Sequence, residues 1–226
     1  MVSLRAIAGC IGVSGSFSVV RDFFGYRHLD PPFGLRLSIL SQIRLLQGSH
    51  VHLNFIQVGQ EYFTLDVEKR IDGALDDLRR IYAAVQIGVG RVEYYAIGVE
   101  AAGGAEIIAD HEEGLQLMNE WSVPNNGIDV FLVVDAGGVR GFSPIGGPCD
   151  KDDKKSGVVL EAVGLNGYYP FVGRAAAHEA GHYLGLPHRD VKGNLMHTNE
   201  YDMGESLAGD QAAAMRGHCM MQSGCL

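Results

Sequence analysis

The stretch HEAGHYLGLPH, residues 178–188, constrains the fold more than any other part of the chain. On an α-helix, residues four positions apart lie on one face, so His178 and His182 can direct two imidazoles at one point. Imidazole nitrogen is a preferred zinc ligand. Glu179 is displaced around the helix from this pair, so it can reach a metal-bound water without being a ligand. The stretch therefore predicts a helix that carries half of a zinc site.

The residues after this helix complete the site. Gly185 stands where the helix should end, because glycine adopts the left-handed conformation that ends helices and redirects the chain. Pro187 cannot continue the helix, and His188 can then return as a third ligand. Three protein ligands leave a fourth position for water, which is typical of a catalytic zinc and not of a closed structural one. We therefore expect one zinc ion at His178, His182 and His188.

A helix that merely happens to contain polar residues is the alternative interpretation. With the His and Gly frequencies of this chain, the five-position pattern should arise by accident about once in ten thousand such sequences. Chance is therefore the weaker explanation, and we interpret the stretch as a metal site.

These residues resemble the extended motif H-E-x-x-H-x-x-G-x-x-H of the metzincin metallopeptidases. Metzincins also carry a methionine turn beneath the metal, and GNLMHTN supplies Met196 at a spacing similar to that of the matrixins. The segment SLAGDQAAAMRGH resembles the C-terminal helix of matrixin-like and pappalysin-like members. The resemblance covers roughly residues 50–220, and only 178–196 is highly specific. Arg189 follows the third ligand, where matrixins have Ser, adamalysins Asp and astacins Glu, so no subfamily is assigned.

The resemblance implies an α/β (α+β) fold: a two-lobed catalytic domain with a twisted mixed sheet, helices above the cleft, and an irregular lower lobe with a C-terminal helix. It implies a zinc-dependent metalloendopeptidase that hydrolyses protein or peptide substrates through a zinc-activated water. Glu179 would be the general base and Met196 would support the site without chemistry. An alternative from another class is a non-catalytic, zinc-stabilised binding protein on the same fold. The glutamate and the open fourth position argue against it, since a structural site needs neither.

Hydrophobic periodicity places the motif within such a fold. From Asp66 onward, apolar residues recur every three or four positions, which predicts an amphipathic helix over 66–86 with Asp66 as its N-cap. The remaining patterns predict strands at 51–59, 92–99, 128–134 and 158–163, and helices at 105–121, 174–184 and 207–218. By family resemblance, the strand at 158–163 would form the upper edge of the cleft and pair with an extended substrate.

No linker divides the chain, so we expect one domain in two lobes. Residues 51–226 would form the metzincin-like zinc peptidase domain, and residues 1–50 a β-rich N-terminal segment of unclear role. A latent enzyme, in which residues 1–50 cover the cleft, is a further hypothesis. The N-terminal residues show no clear signal peptide. Because metzincins are mostly exported, the resemblance nevertheless implies an extracellular or otherwise exported protein.

Composition limits the partners. The net charge is −9 and the sequence pI is about 5.4, which argues against nucleic acid or an anionic membrane as a partner. No apolar run approaches the length that membrane insertion requires. A protein or peptide substrate is the expected partner.

Cysteines and acidic residues suggest two further features. We favour a disulfide from Cys149 to either Cys219 or Cys225, which would tie down the C-terminal tail and leave Cys10 free. Such a bridge would suggest an oxidising compartment.

Three aspartates after Cys149 could bind calcium through oxygen ligands, but lysines dilute their charge and a solvated loop is the default interpretation. They are Asp150, Asp152 and Asp153.

Overall fold

The computed structural model describes residues 19–23, 44–151, 155–163 and 169–224. Its seven strands form one mixed sheet in the order β1-β3-β2-β4-β6-β5, with β7 paired to β2. Strands β3, β2, β4 and β6 are parallel to one another, whereas β1, β5 and β7 each pair antiparallel with a neighbour. The strands are β1 (Val19–Phe23), β2 (Ser49–Val58), β3 (Gly88–Ile97), β4 (Gly127–Val133), β5 (Gly141–Phe142), β6 (Val158–Glu161) and β7 (Gln222–Ser223).

Helices cover both faces of the sheet, because successive residues of each buried strand point to opposite sides. Val130 of β4 packs into the hydrophobic core on one face of the sheet, under the first and fourth helices of the chain. These two helices also contact each other. Phe131, the next residue, packs into a second core on the opposite face, under the third helix. None of the described helices combines the length and apolar character needed to cross a bilayer. The helices are α1 (Leu65–Ala83), α2 (Val99–Ala102), α3 (His111–Trp121), α4 (Tyr169–Tyr183) and α5 (Gly209–Arg216). This architecture confirms the predicted fold class.

Helix α1 confirms the predicted amphipathic helix but begins differently. Its N-cap is Thr64, whose side chain accepts a hydrogen bond from Val67 N at 3.4 Å. Asp66 lies in the first turn instead, where a negative charge favours the helix dipole. The prediction of Asp66 as N-cap is therefore wrong. Both residue types can cap a helix, and only the path of the backbone decides between them.

The edge of the sheet also differs from the prediction. Strand β6 pairs with β4 on one side and with β5 on the other, since Val159 is in register with both Phe131 and Phe142. The interpretation of 158–163 as the cleft edge is therefore wrong, because β5 covers it. A two-residue strand leaves too little alternation in the sequence to be recognised.

A row of buried polar side chains crosses the middle of the sheet. Glu93, Asn54 and Asp129 are in register on three adjacent strands, and all three are fully buried. Asn54 Nδ2 donates to Asp129 Oδ1 at 2.7 Å, and Lys151 Nζ lies 2.7 Å from Asp129 Oδ2. Burial raises the pKa of Asp129, and this lysine opposes the shift. Lys151 is thus largely buried rather than part of a solvated loop, and a one-residue slip in register would break the row.

The disulfide joins Cys149 to Cys219, which is one of the two predicted pairings. Cys10 and Cys225 lie outside the described residues. The bridge holds the tail against the end of α4. The backbone N–H groups of Gly146 and Gly147 donate to His182 O and Tyr183 O at 2.9 and 2.8 Å, only a few residues before Cys149.

Replacing both bridged cysteines by serine should lower the free energy of unfolding by about 4 kcal/mol, because the bridge closes a long loop in the unfolded chain. The two cysteines are 70 residues apart. Guanidinium unfolding of the wild type and the double variant, each with and without reductant, measures the difference. The reductant should destabilise the wild type alone. Equal midpoints for the oxidised wild type and the double variant would contradict this expectation.

Candidate metal centre

Helix α4 and the loop after it bring the three predicted histidines together. One ligand nitrogen from each of His178, His182 and His188 lies within 4.8 Å of the others. His182 Nε2 is 3.2 Å from His188 Nε2. His178 and His182 are buried at 5% exposure, whereas His188 is exposed. A group that can bind one metal ion is therefore assembled from two helical positions and one loop position.

Backbone carbonyls orient the two helical histidines. His178 Nδ1 donates to Leu195 O at 2.7 Å and His182 Nδ1 donates to Leu186 O at 2.6 Å. Because a carbonyl oxygen can only accept, each Nδ1 carries the proton and each Nε2 keeps its lone pair for a metal. Burial lowers the pKa of His178 to about 4 and also lowers that of His182. Both rings are therefore neutral at pH 7, which is the form that binds metals.

Gly185 redirects the chain as its position predicts. Its φ is +93°, in the left-handed region that favours glycine, and its N–H donates to His182 O at 2.8 Å. Leu186 N donates to Gly181 O at 3.0 Å, which closes the end of the helix. The chain then returns at His188, so the third histidine depends on this turn.

Glu179 lies beside the histidines in an unusual environment for a carboxylate. It is 8% exposed, and its Oε2 has no hydrogen-bond partner among the described residues. Burial raises its pKa to about 8. A side chain on Gly141 would come within 3.1 Å of Glu179 Cγ, so the edge strand β5 passes directly over the glutamate. Glu179, His178 and His188 line one open cavity of about 590 Å³.

Met196 lies against the motif helix. It is fully buried, and a Cβ on Gly181 would come within 2.9 Å of its Sδ. Its backbone N–H donates to Asn194 Oδ1 at 2.9 Å. Asn194 and Gln211 of α5 exchange two amide hydrogen bonds of 2.8 and 3.1 Å. The turn that carries Met196 is thus tied to the C-terminal helix by a pair that sequence reasoning did not identify.

Replacing Gly181 by alanine should lower the stability by about 1–3 kcal/mol, because an added methyl group overpacks a filled core. Gly209→Ala is the matched control, since a Cβ there meets no atom within 4 Å. Thermal unfolding of both variants tests the contact. A Gly181→Ala protein as stable as the control would show that Met196 moves aside without cost.

The loop that contributes Glu200 and Met203 to the cavity is held in place by residues that no sequence motif identifies. Arg80 of α1 donates to both carboxylate oxygens of Glu205, with the longer bond at 2.7 Å. Arg174 Nη1 of α4 donates to Met203 O at 2.9 Å. Met203 and Glu200 both line the cavity. Helices α1 and α4 therefore position the loop at 200–205, which lines the cavity beside the histidines.

The other metal candidates from the sequence do not form a site in the described part of the chain. Asp150 is exposed, and Asp152 and Asp153 lie outside the described residues, so nothing supports calcium there. His50 and His52 are buried in β2, and His52 Nδ1 accepts a hydrogen bond from Arg91 N at 2.9 Å. These two histidines therefore have a packing role.

Comparison with known proteins supports the metallopeptidase resemblance. The family model of the reprolysin-like metallo-peptidases, family M12B, matches residues 83–189, a little under half of the chain. No curated protein sequence matches. Among solved structures, metalloproteinase-II from Bacteroides fragilis is similar with a TM-score of 0.50 and 16% identity, over 74% of this chain and 52% of that one. Mature mirolysin from Tannerella forsythia, in complex with a cleaved peptide, is similar with a TM-score of 0.51 and 13% identity, over 74% of this chain and 90% of that one.

At these identities the structural likeness concerns the fold alone. The chain spans only about half the length of the Bacteroides fragilis protein. The family match begins near the end of α1 and ends just after the third histidine, so it includes the whole zinc motif. The chain therefore carries a metzincin-like zinc motif, and residues 83–189 are similar to the reprolysin-like metallo-peptidases, with no assigned subfamily.

Proposed function

We propose that this protein is a zinc-dependent metalloendopeptidase that hydrolyses peptide bonds of protein or peptide substrates. One observation carries the proposal: three convergent histidines lie next to an open cavity and beside Glu179, whose buried Oε2 has no hydrogen-bond partner among the described residues. A structural metal site needs neither the carboxylate nor the opening. This combination favours a peptidase over a zinc-stabilised binding protein on the same fold.

The donor set fits zinc. His178, His182 and His188 offer three imidazole nitrogens, and the two helical ones are already held in the neutral, metal-binding form. A zinc ion held there would supply a Lewis acid that acidifies water and polarises the scissile carbonyl. Three ligands from the chain leave room for the water and the carbonyl.

Glu179 is the proposed general base. Its carboxylate takes a proton from the attacking water and then gives it to the nitrogen of the leaving amine. Burial, which raises its pKa to about 8, makes the carboxylate a stronger base, and a cation at the histidines would oppose this shift. Met196 has no chemical role in this scheme and supports the helix from below.

Strand β5 is the proposed docking edge for the substrate. It is the last strand of the sheet and lies over Glu179. An extended peptide that pairs with this edge by β-augmentation would place its backbone between the strand and the histidines. A preference for unfolded or loop segments would follow.

The organisation and location of the protein are also proposals. Residues 51–226 would form the peptidase domain, and residues 1–50 an N-terminal segment that supplies β1 to the same sheet. The disulfide is compatible with an extracellular location, so we propose export.

A digest of a diverse peptide mixture tests the function. The purified protein is incubated with the mixture, and new peptide termini are identified by mass spectrometry. We expect cleavage that stops after chelation and returns when zinc is restored. Cleavage that persists without metal would point to a contaminant. Bound zinc without any cleavage would favour the non-catalytic binding protein.

A further inference from the structure

The cavity beside the histidines has charged walls. Besides Glu179, it is lined by one guanidinium and two carboxylates, those of Arg140, Glu161 and Glu200. Ala175 also lines it, about one helical turn before Glu179, and its methyl group leaves space where a larger side chain would fill the cavity. A volume of about 590 Å³ is within the range of small-ligand pockets and can admit one long side chain.

Two of these charges compensate each other. Arg140 leads into β5, and Glu200 belongs to the loop that follows Met196. Arg140 Nε lies 3.5 Å from Glu200 Oε2, so the pair joins the upper and lower walls of the cavity. The carboxylate of Glu161 is not part of this ion pair.

Glu161 ends strand β6 and lines the cavity without a close counter-ion among the described residues. No ion pair within 4 Å and no side-chain hydrogen bond involves it among the described residues, although its backbone N–H donates to Arg140 O at 2.9 Å. Partial burial is the largest influence on its carboxyl group, and it raises the pKa. Arg140 opposes this shift from a distance, and Asp135 adds a smaller upward shift to the pKa. A cation that enters the cavity would therefore relieve an unfavourable environment.

A second observation marks this cavity as a place for a ligand. Glu179 also lines it, and the Oε2 atom of this residue is buried and has no hydrogen-bond partner among the described residues. The cavity is therefore continuous with the proposed catalytic site. A side chain bound near Glu161 would belong to a residue close to the bond being cut.

We propose that Glu161 is a specificity-determining residue of the cleft, and that it selects peptides with a lysine or arginine side chain beside the scissile bond. This inference rests on the proposed peptidase function. Lysine and arginine have stems long enough to cross the cavity with the charge at the far end. Glu161 would accept a charge-assisted hydrogen bond from that end.

The test compares peptides that differ only at the two positions flanking the scissile bond, with lysine, glutamine or glutamate there. For the wild type, kcat/KM should be about 10- to 100-fold higher for the lysine peptide than for the glutamine peptide, the size of a hydrogen bond to a charged group. Glu161→Gln should remove this preference, and Glu161→Lys should transfer it to the glutamate peptide. Glu120→Gln is the control, since Glu120 is exposed on α3.

A binding measurement separates this inference from the proposed function. The lysine and glutamine peptides are titrated into the zinc-loaded Glu179→Gln protein, with and without Glu161→Gln. Tighter binding of the lysine peptide that depends on Glu161, without wild-type cleavage, would support the selectivity and overturn the peptidase. Cleavage without a lysine preference, or a preference that survives Glu161→Gln, would overturn the selectivity alone. Neither cleavage nor selective binding would overturn both.

Discussion

Replacing Glu179 by glutamine should lower kcat/KM for peptide hydrolysis by about 10³-fold, within the range that general acid–base catalysis contributes. Glutamine has nearly the same shape as glutamate but cannot take a proton from water. The residue is buried at 8% exposure, so an isosteric change should preserve the packing of α4 beneath β5. The zinc content should remain at one ion per chain, because Glu179 lies beside the ligand group rather than in it.

Three measurements together test the role of Glu179: the rate with a fluorogenic peptide, the zinc content by atomic emission, and the thermal unfolding temperature. Glu120→Gln, an exposed glutamate on α3, should match the wild type in all three. Loss of zinc together with activity would mean that Glu179 supports the metal site instead. Retention of activity would require a different base.

Replacing His188 by alanine should weaken zinc binding by about 10²- to 10³-fold, since four-ligand zinc sites bind with roughly 10–16 kcal/mol, or about 2.5–4 kcal/mol per ligand. This histidine is the most informative of the three because it is exposed, whereas the other two are buried in α4. Its removal should leave the helix packing intact. A change in zinc affinity would then report on coordination and not on folding.

Competition with a chromogenic chelator measures the zinc affinity. His111→Ala is the matched control, since His111 is also exposed but lies at the start of α3. The unfolding temperature of His188→Ala in the absence of zinc should equal that of the wild type. An unchanged affinity and one zinc per chain in His188→Ala would show that another group is the third ligand.

The histidine group illustrates what a local pattern can predict. His178, His182 and Gly185 act through the helical period and through a single left-handed residue, so their arrangement follows from spacing within one short segment. The amphipathic helix α1 follows from the same period. Its first residue does not, because Thr64 and Asp66 are both capable caps.

The surroundings of the site depend on residues far apart in the chain. Arg80 binds Glu205 across 125 positions, and Asn194 binds Gln211 of α5. Strand β5 has two residues and no pattern of its own, yet it forms the sheet edge beside the cavity in place of 158–163. Lys151, expected in a solvated loop, is held against buried Asp129. Hydrophobic periodicity does not predict such pairs, because each partner contributes only a single suitable side chain.

The sequence by itself thus determined the motif helix and the grouping of the histidines, since these arise from hydrogen bonds and side-chain spacing within a few turns of chain, whereas the fold class followed from the family resemblance of that motif. Only the tertiary structure decided which strand borders the cleft, which cysteine Cys149 joins, and that Glu161 faces the cavity without a close counter-ion among the described residues. Burial and long-range pairing settle these features, because a side chain's partners depend on every element packed around it.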